Sequence, residues 1–105
     1  MKEVTPAELK QMMDSKEEFH LIDVREEYEA EICTIGGKLI PMGTVLQHVE
    51  EIPKDKKVVV HCRSGKRSAT VIATLEQQFG YTNLYNLRGG ILGYADEVDD
   101  SLERY

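Results

Sequence analysis

The chain has 105 residues, 41% apolar and 30% charged, with 8 glycines and 3 prolines, the size and composition of one folded domain and not of a disordered tail or fibre. Nineteen acids against 13 bases leave a formal charge of −6, which argues against non-specific attraction to nucleic acid or to an anionic membrane surface. Two cysteines, Cys33 and Cys62, are too few for the disulfide scaffold of a small secreted domain.

The chain opens on Met1-Lys2-Glu3-Val4 with no apolar run of signal length, and nothing in it approaches the roughly 18 continuous apolar residues of a membrane span. A reducing, cytoplasmic setting is the expectation. Thr5-Pro6-Ala7-Glu8 has the form of a capping box with proline at the helix start, predicting a helix over 6–14. Phe19 to Val24 is a compact apolar segment that stops at Arg25-Glu26-Glu27, read as a strand ending near a site. Glu26 to Ile32 suits one or two helical turns, Gly36-Gly37 breaks them, and Lys38-Leu39-Ile40 before Pro41 is a brief strand. Residues 42–50 read as another short helix.

Lys57-Val58-Val59-Val60-His61 is the strongest strand, since three consecutive valines suit a sheet covered on both faces, and it should be central. From Lys66 to Phe79, the spacing of Val71, Ile72, Leu75 and Phe79 places them on one face of a helix that Gly80 terminates. Asn83 to Leu87 is the last strand, Arg88-Gly89-Gly90 a turn, and Ile91 to Glu97 a closing helix. Strands alternating with helices on short links make an α/β domain with a mainly parallel sheet between helices. No repeat, linker or second domain is visible, so residues 1–105 are read as one unit.

The chemistry concentrates in Cys62-Arg63-Ser64-Gly65-Lys66-Arg67-Ser68, which runs from the central strand through a tight loop into a helix. At such a junction the loop amides and the positive helix end favour an anion. Free cysteine titrates near about 8.5, and this kind of surrounding brings it to roughly 3.5–7.5, making the thiolate available at neutral pH. A lone cysteine after an apolar strand is more often a small buried hydrophobe. Here the local charge reverses that default: residues 56–75 hold five bases (Lys56, Lys57, Arg63, Lys66, Arg67) and no acid, leaving 8 bases against 19 acids elsewhere. An anionic substrate suits that patch. His61 adjoins Cys62, but neighbours on a strand face opposite ways, so it is not expected to act as general base, and no further ligands complete a Cys/His metal site. His20 and His48 show no cluster around them.

Taken together, Ile22-Asp23-Val24-Arg25-Glu26 with Tyr28, Ile35-Gly36-Gly37-Lys38-Leu39-Ile40-Pro41, the Cys62 to Ser68 loop and Leu87-Arg88-Gly89-Gly90 resemble the rhodanese-like sulfurtransferases, specifically the small single-domain form. The resemblance covers nearly the whole chain and implies a mainly parallel five-stranded sheet flanked by helices on both faces. Cys62 to Arg67 counts six residues; the resemblance implies that this loop suits one sulfane sulfur, whereas the related phosphatases use one residue more around a phosphate. It implies a Cys62 persulfide formed from an anionic donor such as thiosulfate and passed to cyanide, a thiol or a protein acceptor, with no metal or organic cofactor.

By the same resemblance, Arg63 and Lys66 look outward and set substrate preference, with Ser64 and Gly65 beside them. Arg67 closes the loop, bracing it or touching substrate, and Ser68 caps the helix start. Asp23 and Arg25 hold the loop in shape by ion pairing. Cys33 is read as passive and partly buried, Tyr94 as an aromatic packing residue, and Asp96 to Tyr105 as a solvated helix and tail. The resemblance leaves two other functions open: a protein-to-protein sulfur carrier of molybdopterin or thiamin type, fed by a cysteine desulfurase, and, as a minority reading, a phosphatase.

Overall fold

Val58, Val59 and Val60 are all buried, because β4 (Lys57–His61) lies in the middle of a sheet with packing on both faces. The computed structural model describes residues 1–105. Its other strands are β1 (Glu3–Val4), β2 (Phe19–Asp23), β3 (Lys38–Leu39) and β5 (Leu84–Leu87). They are ordered β1-β5-β4-β2-β3, and every pairing is parallel. The α/β class and the single parallel sheet agree with the sequence reading. The strand that periodicity does not announce is β1, since two residues cannot display an alternation. Its place is fixed from outside: the Asn86 amide donates to the Lys2 carbonyl and the Arg88 amide to the Val4 carbonyl, each at 2.9 Å.

Alternation along β4 sorts the two faces. Val58, Val60 and Cys62 belong to one apolar cluster with Ile22, Ile40 and the inner face of α3 (Lys66–Phe79). Val59 belongs to the other, with Val4, Leu87, Tyr94 and the inner face of α1 (Pro6–Asp14). α1 begins with the expected capping box, the Glu8 amide donating to Thr5 Oγ1 at 3.1 Å and the Thr5 amide to Glu8 Oε1 at 2.7 Å. α2 (Glu27–Ile32) and α4 (Gly90–Glu97) complete the helices. None is long and apolar enough to cross a membrane.

One sequence expectation is refined and one corrected. The short helix expected over 42–50 is present as 3₁₀ turns, Met42–Glu51, interrupted where His48 leaves helical geometry at φ −127° and ψ 23°. On α3, Val71, Ile72 and Leu75 are buried as predicted, whereas Phe79 is 37% exposed. Phe79 is the last residue before the left-handed Gly80. Tyr81, beyond the turn, goes into the core instead, its hydroxyl donating to the Ile52 carbonyl at 2.7 Å.

Because the strands are parallel, β2, β4 and β5 all finish at one end of the sheet, where open α/β sheets carry their ligands. The loop after β4 meets the Gly89-Gly90 turn there. The contact is so close that a Cβ on Gly90 would lie 2.3 Å from the Arg63 carbonyl oxygen and 2.7 Å from the Ser64 nitrogen, and φ there is +62°. We therefore expect Gly90→Ala to cost about 2–4 kcal/mol through combined overlap and backbone strain, measured by urea unfolding. Gly43→Ala, with nothing within 4 Å of the added carbon, should stay within about 0.5 kcal/mol of wild type. Equal midpoints for the two variants would remove the close approach as a determinant of the fold.

Candidate active site

The loop between β4 and α3 turns back over its own first residue. Gly65 adopts φ +104°, open to glycine and strained for any side chain. That conformation brings the Gly65 amide to 3.1 Å from Cys62 Sγ, with the Ser68 amide at 3.4 Å and Ser68 Oγ also at 3.4 Å. The amides of Arg63, Lys66 and Arg67 donate to no acceptor within the chain. A cradle of free amide donors at a helix start is a small anion site.

Cys62 is only 1% exposed, so its sulfur lies at the floor of this cradle. Burial, the largest single influence, pushes the thiol up. The Ser68 hydroxyl and the amides of Ser68, Gly65 and Ser64 together outweigh it, and the net effect holds the thiol below its ordinary value. That separates it from an inert core cysteine, for which burial acts alone.

Arg25 is wholly buried, and its donors are consumed internally. It meets Asp23 through Nε at 3.0 Å and Nη2 at 2.8 Å, the Cys33 carbonyl at 2.7 Å, the Glu29 carbonyl at 3.2 Å and the Tyr105 hydroxyl at 3.1 Å. Asp23 and Arg25 thus pair with one another and tie the end of β2 to α2, reaching the loop through Glu29 and Tyr105. The Glu29 carboxylate accepts both Arg67 Nη1 at 2.7 Å and Nη2 at 2.8 Å. Arg67 is therefore held by a carboxylate, while Arg63 and Lys66 have no acidic partner. Ser64, beside them, is exposed.

Sequence reasoning missed Glu29, Asn86 and Tyr105. The tail is not simply solvated: the Tyr105 hydroxyl donates to Glu29 Oε1 at 2.9 Å, and its ring lies under the Arg63 guanidinium at 5.0 Å. Asn86 accepts from Ser68 Oγ at 2.6 Å and donates to the Gly65 carbonyl at 3.1 Å. No sequence signal marked these three, since none lies within the loop motif.

Cys33 is a free, half-buried thiol with its sulfur 3.8 Å from Arg25 Nη1. His61 turns away from Cys62 Sγ, with Nε2 3.8 Å from Asp23 Oδ2, and burial lowers its affinity for a proton. His48 is less isolated than the sequence suggested, standing near Glu50 and Glu51. Lys38 already pairs with Glu51 at 2.6 Å. Tyr94 packs in the second apolar cluster.

The class is thus a parallel α/β domain whose central strand leads straight into a loop that turns the Gly65 and Ser68 amides onto a cysteine sulfur. The sequence profile of the rhodanese-like domain matches residues 5–97. The chain belongs to that family, that of the rhodanese-like sulfurtransferases. It is 40% identical to a sulfurtransferase of Allochromatium vinosum over 94 residues, covering 89% of this chain and 87% of that one. It is 32% identical over 105 residues to the probable adenylyltransferase/sulfurtransferase MoeZ of Mycobacterium tuberculosis, covering 97% of this chain and 26% of MoeZ, about a quarter of that protein's length. The crystal structure of a rhodanese-like domain protein from Staphylococcus aureus superposes with a TM-score of 0.82 at 30% identity, covering 100% of this chain and 99% of that one.

The Glu29–Arg67 pair gives a pH-dependent test. Arg67's hydrogen bonds, the largest influence, hold the Glu29 carboxyl down to about 2 from an ordinary 4.5. A depressed carboxyl contributes stability that is fully present above its unfolded value and lost as pH falls through the folded one. With Arg67 one-third exposed, the contribution is discounted for solvent to on the order of 2 kcal/mol. Glu29→Gln should therefore be destabilised by that amount at neutral pH, and its deficit against wild type should shrink as pH falls from 4.5 towards 2. A deficit independent of pH in chemical denaturation would show that the pair is not what holds Arg67.

Proposed function

We propose that the protein moves a sulfane sulfur from a small anionic donor such as thiosulfate to a thiophilic acceptor through a persulfide on Cys62. The observation that carries this reading is the convergence of the Gly65 and Ser68 amides on Cys62 Sγ at 3.1 and 3.4 Å, in a loop whose Arg63, Lys66 and Arg67 amides are free. In the first half-reaction the Cys62 thiolate attacks the donor's outer sulfur. A sulfur–sulfur bond forms, the donor's own sulfur–sulfur bond breaks, and sulfite leaves with the electron pair. Arg63 and Lys66, exposed and without carboxylate partners, supply the positive charge that draws and orients the donor's sulfonate. Ser64 and Gly65 complete the wall of the cradle. In the second half, cyanide, a thiolate or a protein acceptor attacks the outer sulfur and Cys62 leaves as thiolate, a double displacement.

Arg67 braces the loop through Glu29 in this scheme and need not touch the donor. Asp23, at the end of β2, and Arg25, just beyond it, support that brace. None of these steps calls for a metal or organic cofactor.

The similarity to one part of a longer adenylyltransferase/sulfurtransferase favours a second reading, in which the acceptor, and a cysteine desulfurase as donor, are proteins. A cytoplasmic location fits both. Phosphatase chemistry is the weaker alternative, because a six-residue span from Cys62 to Arg67 encloses a smaller anion.

Incubated with thiosulfate, the protein should gain one sulfur atom by intact mass, and Cys62→Ser should gain none. A sulfur adduct that persists in Cys62→Ser would remove Cys62 from its role and move it to Cys33. A desulfurase that loads Cys62 much faster than thiosulfate does would favour the relay reading.

A further inference from the structure

Ser68 is completely buried between Cys62 and Asn86. A serine hydroxyl has one proton to give and two lone pairs with which to accept. The Ser68 proton is committed to Asn86 Oδ1 at 2.6 Å, the shorter of its two contacts, while Cys62 Sγ stands at 3.4 Å. The Asn86 amide cannot be reversed without loss, since Nδ2 donates to the Gly65 carbonyl at 3.1 Å and a flip would set two oxygens against each other. Asn86 thus presents a fixed acceptor to Ser68, and Ser68 presents a lone pair to Cys62.

That arrangement suits a thiol, whose S–H can donate to Ser68 Oγ. It does not suit a thiolate, which needs the hydroxyl proton turned towards it. Hydrogen bonds to charged groups are stronger than neutral ones, so ionisation of Cys62 rotates the hydroxyl onto sulfur and leaves Asn86 Oδ1 without its donor. We propose that Asn86 is a positioning residue for the Cys62 nucleophile: it holds the Ser68 proton while the sulfur is neutral and releases it only when Sγ carries charge.

The proposal rests on the sulfur-transfer reading for its purpose, because Sγ carries charge at two moments of that reaction. One is before attack on the donor. The other is on delivery, when an acceptor thiolate bonds to the outer sulfur, the Sγ–S bond breaks and its electron pair stays on Sγ. In the persulfide between them the charge lies on the outer sulfur, and the hydroxyl returns to Asn86. The other charged and titratable groups around the site are accounted for. Arg67 of α3 is held by Glu29 of α2, which also accepts from the Tyr105 hydroxyl; Arg63 and Lys66 lie at the rim; Asp23, at the end of β2, and Arg25, two residues on, neutralise one another; His61 of β4 turns towards Asp23. Residues 90–92 of α4 carry no charged side chain.

The test is the rate at which iodoacetamide alkylates Cys62 as a function of pH, followed by mass of the Cys62 peptide, in Asn86→Ala, Ser68→Ala and the double variant. Asn86→Ala should raise the thiolate fraction, and with it the rate below the midpoint, by about fivefold, the equivalent of one net neutral hydrogen bond no longer competing for the proton. Ser68→Ala should slow it, and adding Asn86→Ala to Ser68→Ala should change nothing further. An equal acceleration in both backgrounds, or none in either, overturns the proposal, since a merely structural effect through Gly65 would survive loss of the hydroxyl. Should Asn86→Ala fail to fold, Asn86→Asp keeps the acceptor: alkylation slower than wild type, with part of that slowing lost in the Ser68→Ala background, supports the proposal, and wild-type rates overturn it. No sulfur donor is present in this assay. A protein that behaves as expected here yet takes no sulfur from thiosulfate would fail the functional reading alone.

Discussion

The loop after β4 can aim amides at the Cys62 sulfur because its first carbonyls are engaged on the other side. Ile91 donates to the Cys62 carbonyl at 2.9 Å and Leu92 to the Arg63 carbonyl at 3.1 Å. These amides belong to the first turn of α4, where a helix has donors without internal partners, so the contact satisfies both elements at once. Peptide planes with their oxygens held outward keep their hydrogens inward. Gly90 makes the approach possible, and the parallel sheet brings α4 there by ending β5 beside β4.

From that clamp follows a division of labour among the arginines. Arg25 and Arg67 are spent on carboxylates and carbonyls within the protein, while Arg63 rests on the Tyr105 ring and Lys66 is free. Interior pairs are costly to break and fix shape; rim cations act on what approaches. A chain whose formal charge is −6 therefore still offers a positive mouth, because residues 56–75 hold no acid and Glu29, the carboxylate that reaches the loop, is already bound to Arg67.

The legible part of this architecture was what short stretches encode. The valine run of β4, the helical spacing of α3, the capping box of α1 and the contiguous Cys62 to Ser68 loop each carry their signal within a few residues, and each lies where the sequence places it. What escaped depends on partners far along the chain. Glu29 reaches Arg67 across 38 positions, Tyr105 reaches Glu29 across 76, and Asn86 reaches Ser68 across 18. β1 escaped for the same reason, being a strand only by virtue of β5. The closing arginine was visible as a member of the motif, but its direction was not, since a guanidinium turns to the best carboxylate the fold supplies.

The burial of Cys62 and the lowering of its proton affinity look contradictory until the source of each is separated. Water is removed from the sulfur by the packing that makes Cys62 a member of the Val58 and Val60 cluster, and that alone would keep the thiol protonated. The donors that replace water are backbone amides fixed by the turn at Gly65 and the first turn of α3, so they need no reorganisation when charge forms. A charged sulfur in such a place is held by dipoles that cannot follow it elsewhere. Moving the charge outward by one atom, as on forming a persulfide, transfers it from the Gly65 and Ser68 amides towards donors of the loop that nothing else occupies. In the proposed reaction the cradle thus serves both the bare and the loaded cysteine, and the proposed role of Asn86 is to set the Ser68 hydroxyl differently in the two.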